Sequence, residues 1–151
     1  MSVRSRRSSV CAALLAGGVV AAPLVAVPAM AADGGKPLSA TLTGAAEVPG
    51  PGDPDGSGTA SVRVNVGQQR VCVDLTVKDI APAVAAHIHV GPAGSAGPVV
   101  VGLEPPTGGA SSSCYSIDRE LAKQLVRNPE NYYVNVHNAE FPPGAVRGQL
   151  G

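Results

Sequence analysis

The stretch VRVNVGQQRVCVDLTVK, residues 62–78, has the clearest secondary-structure pattern in the sequence. Branched aliphatic residues alternate with polar residues on both sides of Gly67-Gln68-Gln69. Alternation with a period of two is typical of strands with one buried face, and a short glycine-containing segment between two such runs is typical of a hairpin turn. The stretch therefore predicts an antiparallel hairpin with one polar face. The residues expected on its buried face are Val62, Val64, Val66, Val71, Val73, Leu75 and Val77.

The same kind of pattern continues on both sides of this hairpin. Glycine and proline cluster at 49–58, 91–98, 105–109 and 142–148, and short apolar runs lie between the clusters. Short strands separated by such turns predict an all-β fold, a Greek-key sandwich or barrel of about eight strands. The cluster at 49–58 is expected to be a loop or a partly disordered excursion. The further strands are expected at 38–46, 84–90, 98–103, 111–117, 132–137 and 145–150.

One short helix is expected between the strands at 111–117 and 132–137. Asp118 is a suitable N-cap, and Leu121 and Leu125 lie four residues apart on one helical face. Asn128-Pro129 then ends the helix, because proline cannot continue the hydrogen-bond pattern.

The N-terminal segment has the composition of an export signal. Arginines precede an apolar run from Val10 to Val27, and Ala29-Met30-Ala31 supplies the small-residue pattern of a cleavage site. An uncleaved membrane anchor is the alternative, but glycine and proline interrupt the run and lower its hydrophobicity. We therefore expect a signal peptide at 1–31, a flexible N-terminus at 32–37, one domain at 38–151 and a secreted, extracellular product.

The charge balance restricts the kind of partner. The chain has 11 basic and 11 acidic residues, and cleavage after Ala31 would leave eight basic and eleven acidic residues, a net charge of −3. Proteins that bind nucleic acid usually carry a clustered basic surplus, so no nucleic-acid partner is expected. No run after the signal approaches the ~20 apolar residues of a membrane span. A monomer is expected.

The cysteines point to a disulfide. Cys11 lies in the predicted signal, which leaves Cys72 and Cys114. Two cysteines in an oxidising compartment most simply pair with each other. The alternative, a thiolate metal site, requires reducing conditions and more ligands at short spacing. Cys72 falls on the polar face of its strand, and neither cysteine is expected to be a buried apolar thiol.

The three histidines are the candidate metal ligands. His87 and His89 share one face of a predicted strand, and His137 lies on the polar face of another, together with Tyr133 and Asn135. If the two strands are close, three imidazoles converge, and such a set suits copper or zinc. The alternative is that these histidines are hydrogen-bonded surface or rim residues. The sequence has no nucleophile elbow, no evident carboxylate pair and no phosphate-binding loop, so no catalytic residues are expected and the chain is not expected to be an enzyme.

Several ordered motifs lie between Leu38 and Leu150. They are LTGAAEVP (42–49), GTA (58–60), AHIHVG (86–91), GPV (97–99), YVNVH (133–137) and PGAVRGQL (143–150). By these motifs the chain resembles the chordin-type (CHRD) domain family. This resemblance implies an extracellular, non-catalytic binding or structural module, whose partner would be an extracellular protein or a cell-surface component.

A second resemblance, at the level of architecture, is to copper-zinc superoxide dismutase, an eight-stranded Greek-key barrel. The residues at corresponding places are His87, His89, His137 and Arg147. This implies the alternative function of a copper-binding or redox protein with a three-histidine site. The bridging histidine and the zinc-binding loop of that family are missing here, which argues against dismutase activity.

Arg147 also has a structural interpretation. It lies on the last predicted strand and can pair with Glu47 on the first strand, which would close the edge of the sheet. A buried pair of this kind is costly to break, whereas an exposed one contributes little. We expect Arg147 and Glu47 to have structural or supporting roles.

Overall fold

The computed structural model describes residues 34–151, so the predicted signal peptide at 1–31 lies outside the described residues. These residues form eight strands and one α-helix, with short 3-10 turns at Gly44–Ala46 and Pro129–Asn131. In chain order the elements are β1 Lys36–Thr43, β2 Ser57–Asn65, β3 Arg70–Lys78, β4 Ala83–Val90, β5 Val99–Leu103, β6 Ala110–Ser116, α1 Arg119–Arg127, β7 Tyr132–Asn138 and β8 Val146–Gln149. The first strand thus begins within the segment expected to be a flexible N-terminus.

The strands form one antiparallel sheet in the order β5-β4-β7-β8-β1-β2-β3-β6. Its two end strands approach each other where β5 ends. There the Glu104 N–H donates to the Tyr115 hydroxyl, and the Ser111 hydroxyl donates to the Glu104 carbonyl. The sheet is therefore a nearly closed barrel, and the predicted all-β fold with one short helix is confirmed.

The hairpin of β2 and β3 has the predicted faces. Val62 lies opposite Val73 and Val64 opposite Val71, and all four are buried. The turn closes through Gln69, whose φ is +52°. The alternating sequence gives each strand only one apolar face. A shift of one residue in the pairing would turn every valine outward, so burial of the valines fixes the register.

The helix covers one part of the core. Ala122 and Leu125 are fully buried, while Leu121 is only partly buried. Asp118 caps the helix as predicted, because its side chain accepts from the N–H groups of Glu120 and Leu121. No helix in residues 34–151 has the length and apolar character needed to cross a membrane.

The cysteine pair differs from expectation in its burial. Cys72 on β3 lies directly opposite Cys114 on β6, and the two sulfurs are at disulfide distance, 2.00 Å. Cys72 is only 2% exposed, so the prediction that neither cysteine is buried is wrong for this residue. Its cross-strand neighbours, Arg63 on one side and Cys114 on the other, lie beside it on the outer face of the sheet.

The proline-rich segment after β1 is a packed loop, the first of the two expected possibilities, and not a partly disordered excursion. Gly52 and Asp53 are buried. The N–H of Gly52 donates to the Gly44 carbonyl and that of Asp53 to the Ala145 carbonyl, both at 2.8 Å. The first bond attaches the loop to the turn that precedes Glu47, and the second attaches it to the connection between β7 and β8.

Candidate functional site

The outer face of β4, β7 and β8 carries two rows of polar side chains. In one row His87 lies opposite Asn135, which lies opposite Arg147. In the next row His89 lies opposite Tyr133, which lies opposite Gln149. Directly paired residues share a face of the sheet, and the residues between them face the core. The alternation seen in the sequence therefore places two adjacent rows of polar side chains on one face of these three strands.

The three histidines converge on this surface. The ring centroid of His87 lies 5.4 Å from that of His89 and 5.0 Å from that of His137. One nitrogen from each ring can be chosen so that all three lie within 4.8 Å of one another. The convergence arises because β4 and β7 are neighbours in the sheet.

Backbone carbonyls fix the tautomers of two of these rings. His89 Nδ1 lies 2.8 Å from the Gly97 carbonyl, and His137 Nδ1 lies 3.0 Å from the Pro142 carbonyl. A carbonyl only accepts, so each neutral ring carries its hydrogen on Nδ1 and a lone pair on Nε2. Metal-bound histidines commonly use one nitrogen in this way while the other binds the metal.

The third ring completes the set through its Nδ1. His87 Nδ1 lies 3.1 Å from His137 Nε2, and with Nδ1 of His137 already protonated, His87 donates this hydrogen bond. A cation that replaced the shared hydrogen would lie between His87 Nδ1 and His137 Nε2.

His89 Nε2 supports the same location. His89 is only 9% exposed, and this nitrogen is buried with no hydrogen-bond partner. A buried polar atom without a partner costs about 1–3 kcal/mol. A bound ion would supply the missing interaction.

Burial keeps two of the rings neutral. It lowers the pKa of His87 below its ordinary value, and the neighbouring imidazoles of His137 and His89 lower it further. Burial likewise lowers the pKa of His137. Because only the neutral imidazole offers a lone pair to a metal, both shifts favour ligation near neutral pH.

The spacing fits an ion after a small adjustment. Two nitrogens bound to one ion at about 2.0–2.1 Å can be at most about 4.2 Å apart. The observed separations reach 4.8 Å, so modest ring rotations would close the set. His87 and His137 are only half-buried, which leaves a side of the cluster accessible to solvent.

Tyr133 is a member of the site to which the sequence pattern assigned no role. Its ring stacks on the His89 ring at 4.7 Å with an interplanar angle of 7°, and the Arg147 guanidinium lies 3.4 Å from the centre of the Tyr133 ring. The Gly97 N–H donates to the Tyr133 hydroxyl. Tyr133 therefore supports both the His89 ring and the loop residue that binds it. Its position two residues from Asn135 on a polar strand face was the signal in the sequence.

Arg147 and Glu47 are both buried, at 1% and 5% exposure. Glu47 follows the Gly44–Ala46 turn instead of lying on β1. Within residues 34–151 the two side chains form no ion pair within 4.0 Å, so the direct pairing expected from the sequence is absent. Arg147 instead donates through Nη2 to the carbonyls of Pro92 and Ser95.

The pKa of Glu47 reflects this arrangement. Burial raises it from 4.5 to about 7, and the positive charge of Arg147 together with the Val48 N–H only partly opposes that increase. Glu47 is therefore close to half-protonated at neutral pH.

Comparison with protein-family models identifies the family of this chain. The family model described as "CHRD domain" matches residues 38–150, from the third residue of β1 to the residue after β8. No curated protein and no solved structure matches the chain.

Proposed function

The chain belongs to the CHRD domain family, and on that premise we propose that it is an exported, extracellular, non-catalytic binding or structural module. The family match over residues 38–150 carries the proposal. The Cys72–Cys114 pair at disulfide distance supports it, since such pairs persist in oxidising compartments. The mature protein would then be the domain at 38–151 with a short segment before it, and its partner an extracellular protein or a cell-surface component.

The test is to express the full chain in an exporting host and sequence the N-terminus of the protein in the medium. We expect it to begin at Ala32 and to contain no free thiol. A matched variant with Ala29→Glu and Ala31→Glu should remain unprocessed, because the cleavage site requires small residues. Wild-type protein retained in the cell with residues 1–31 attached would contradict the proposal.

A second candidate function rests on the histidines, and we propose that His87, His89 and His137 bind one transition-metal ion. Two observations support this proposal. The three imidazoles converge, and His89 Nε2 is buried without a hydrogen-bond partner. Imidazole ligands suit copper and zinc, and the usual order of affinities places Cu(II) above Zn(II). Cu(II) is therefore the ion used to test this site.

The test is a competition titration of the purified, metal-free protein with Cu(II). We expect one equivalent to bind, and the affinity to weaken below about pH 6, where protons compete for the same nitrogens. His87→Ala should weaken binding by at least about tenfold because it removes one arm of the chelate. Gln68→Ala, in the exposed hairpin turn, is the control and should leave the affinity unchanged. Equal affinities for wild type and His87→Ala would refute the site.

A further inference from the structure

A pocket lies over β8, on the sheet face that carries the three histidines. Its volume is about 250 Å³. The Ala45–Val48 turn forms one wall, Ala93 and Gly94 of the loop between β4 and β5 form another, and Arg147 and Gln149 project from β8. Because alanine, glycine and valine supply most of the walls, the pocket owes its polarity to Glu47, Arg147 and Gln149.

Two buried polar atoms of this lining have no partner. They are Oε1 of Glu47 and Nη1 of Arg147. The Nη2 atom of Arg147 donates to two backbone carbonyls, and these bonds orient the guanidinium group. Nη1 has no such partner. The side-chain amide of Gln149 donates to the carbonyls of Gly91 and Glu130. Buried charges and polar groups are normally satisfied by a protein group, an ordered water molecule or a ligand, and these two atoms have no protein partner.

The lining of the pocket has a charge that suits the binding of a single anion. Arg147 stays positively charged at all ordinary pH values. Glu47 packs against Gly52 of the loop after β1, Gly144 of the loop after β7, and the Arg147 side of β8. Of these neighbours only Arg147 is charged. With Glu47 protonated, the lining carries one positive charge and two hydrogen-bond donors, the Arg147 Nη1–H and the Glu47 O–H.

We propose that this pocket binds a carboxylate group, which accepts one hydrogen bond from Arg147 and one from the protonated carboxyl of Glu47. A carboxylate matches the single positive charge and the planar guanidinium, and a carboxylic acid beside a carboxylate shares one proton with it. At roughly 30 Å³ per water molecule the volume accommodates a small organic acid or the end of an Asp or Glu side chain of a partner. The inference is independent of any metal at the three histidines.

The proposal predicts that binding takes up a proton. Burial raises the pKa of Glu47 to about 7, so above this pH the ligand must be accompanied by a proton. Above about pH 5, where the ligand's own carboxyl group is ionised, the dissociation constant should be nearly constant up to about pH 6 and should rise about tenfold per pH unit above the pKa of Glu47.

The experiment is an acetate titration of the secreted, chelator-treated protein, followed by the backbone amide NMR signals of 45–48 and 93–94. Chloride at matched ionic strength is the control anion. Wild type should show saturable shifts with acetate and the pH dependence given above. Glu47→Gln keeps a hydrogen-bond donor but cannot titrate, so it should bind acetate with an affinity independent of pH. Gln68→Ala, in the exposed hairpin turn, should bind acetate like wild type.

Two arms identify the source of the carboxylate. A capped tripeptide with a central Asp should compete with acetate if the pocket receives a partner's side chain, and its Asn counterpart should not compete. Acetate binding that the Asp peptide does not compete with would assign the pocket to small organic acids. The proposal is overturned if acetate causes no more change than chloride, or if Glu47→Gln retains the pH dependence of wild type. Arg147→Gln should abolish binding, but it also removes two loop hydrogen bonds, so Glu47→Gln carries the decision.

Discussion

Burial changes the chemistry of single side chains on the outer face of this sheet. Glu47 keeps its proton to a higher pH than an exposed glutamate, and His87 loses its proton more readily than an exposed histidine. Both shifts have the same cause, because burial penalises whichever form is charged. The surface over β4, β7 and β8 is therefore less charged near neutral pH than its composition indicates.

Glu47→Gln provides a stability test of this effect. The pKa of Glu47 is raised from 4.5 in the unfolded chain to about 7 in the folded protein, so the folded state binds the proton more tightly. Its favourable contribution is complete below pH 4.5 and is lost as the pH rises through 7.

From about pH 4 to about pH 8, wild type should lose up to about 3 kcal/mol of unfolding free energy relative to Glu47→Gln. Urea unfolding of both proteins at several pH values measures the difference. A constant difference across this range would show that Glu47 titrates normally.

The loop between β4 and β5 positions several side chains of the site. Gly91 and Gly97, near its two ends, accept from the side chains of Gln149 and His89, and the carbonyls of Pro92 and Ser95 accept from Arg147. This loop therefore connects the histidine cluster to the pocket over β8. Residues of β4 and β8 hold it against the sheet, so its conformation depends on side chains far away in sequence.

Gly97→Ala tests that connection. A Cβ atom at Gly97 would clash directly with the Val90 carbonyl, so the backbone must move. The Gly97 carbonyl would then move away from His89 Nδ1, and loss of such a supporting bond typically weakens metal binding 10–100-fold. Gly102→Ala in β5 is the matched control, since its Cβ meets no atom within 4 Å. Copper affinities of the two variants that differ by less than threefold would contradict a supporting role for this loop.

At the scale of the whole molecule, the alternation of valines predicted strand positions closely. The strand expected at 132–137 is found at Tyr132–Asn138, and that expected at 84–90 at Ala83–Val90. The sequence could not predict the strand order, because pairing of β1 with β8 and of β3 with β6 depends on contacts between distant segments. For the same reason, the sequence predicted convergence of the histidines only on the condition that their two strands are close. The hydrogen bonds that His89 and His137 donate to the carbonyls of Gly97 and Pro142 could not be predicted, since loop conformation decides them.

The Cys72–Cys114 pair links β3 to the end strand β6 across 42 residues of sequence. In the chain-entropy account a disulfide closing such a loop stabilises the fold by roughly 4 kcal/mol at most. A Cys72→Ala/Cys114→Ala double variant, and wild type under mild reduction, should both melt several degrees below oxidised wild type. Calorimetry with and without reductant measures this. Reduction that left the melting temperature unchanged would mean that the pair contributes nothing to stability.

The most direct test of the proposed metal site is electron paramagnetic resonance of the protein loaded with one equivalent of Cu(II). The geometry of His87, His89 and His137 predicts a single copper species whose spectrum shows coupling to three imidazole nitrogens. His87→Ala should reduce this number to two. A spectrum of unbound copper, or several species that do not change in His87→Ala, would contradict the assignment of these histidines as a metal site.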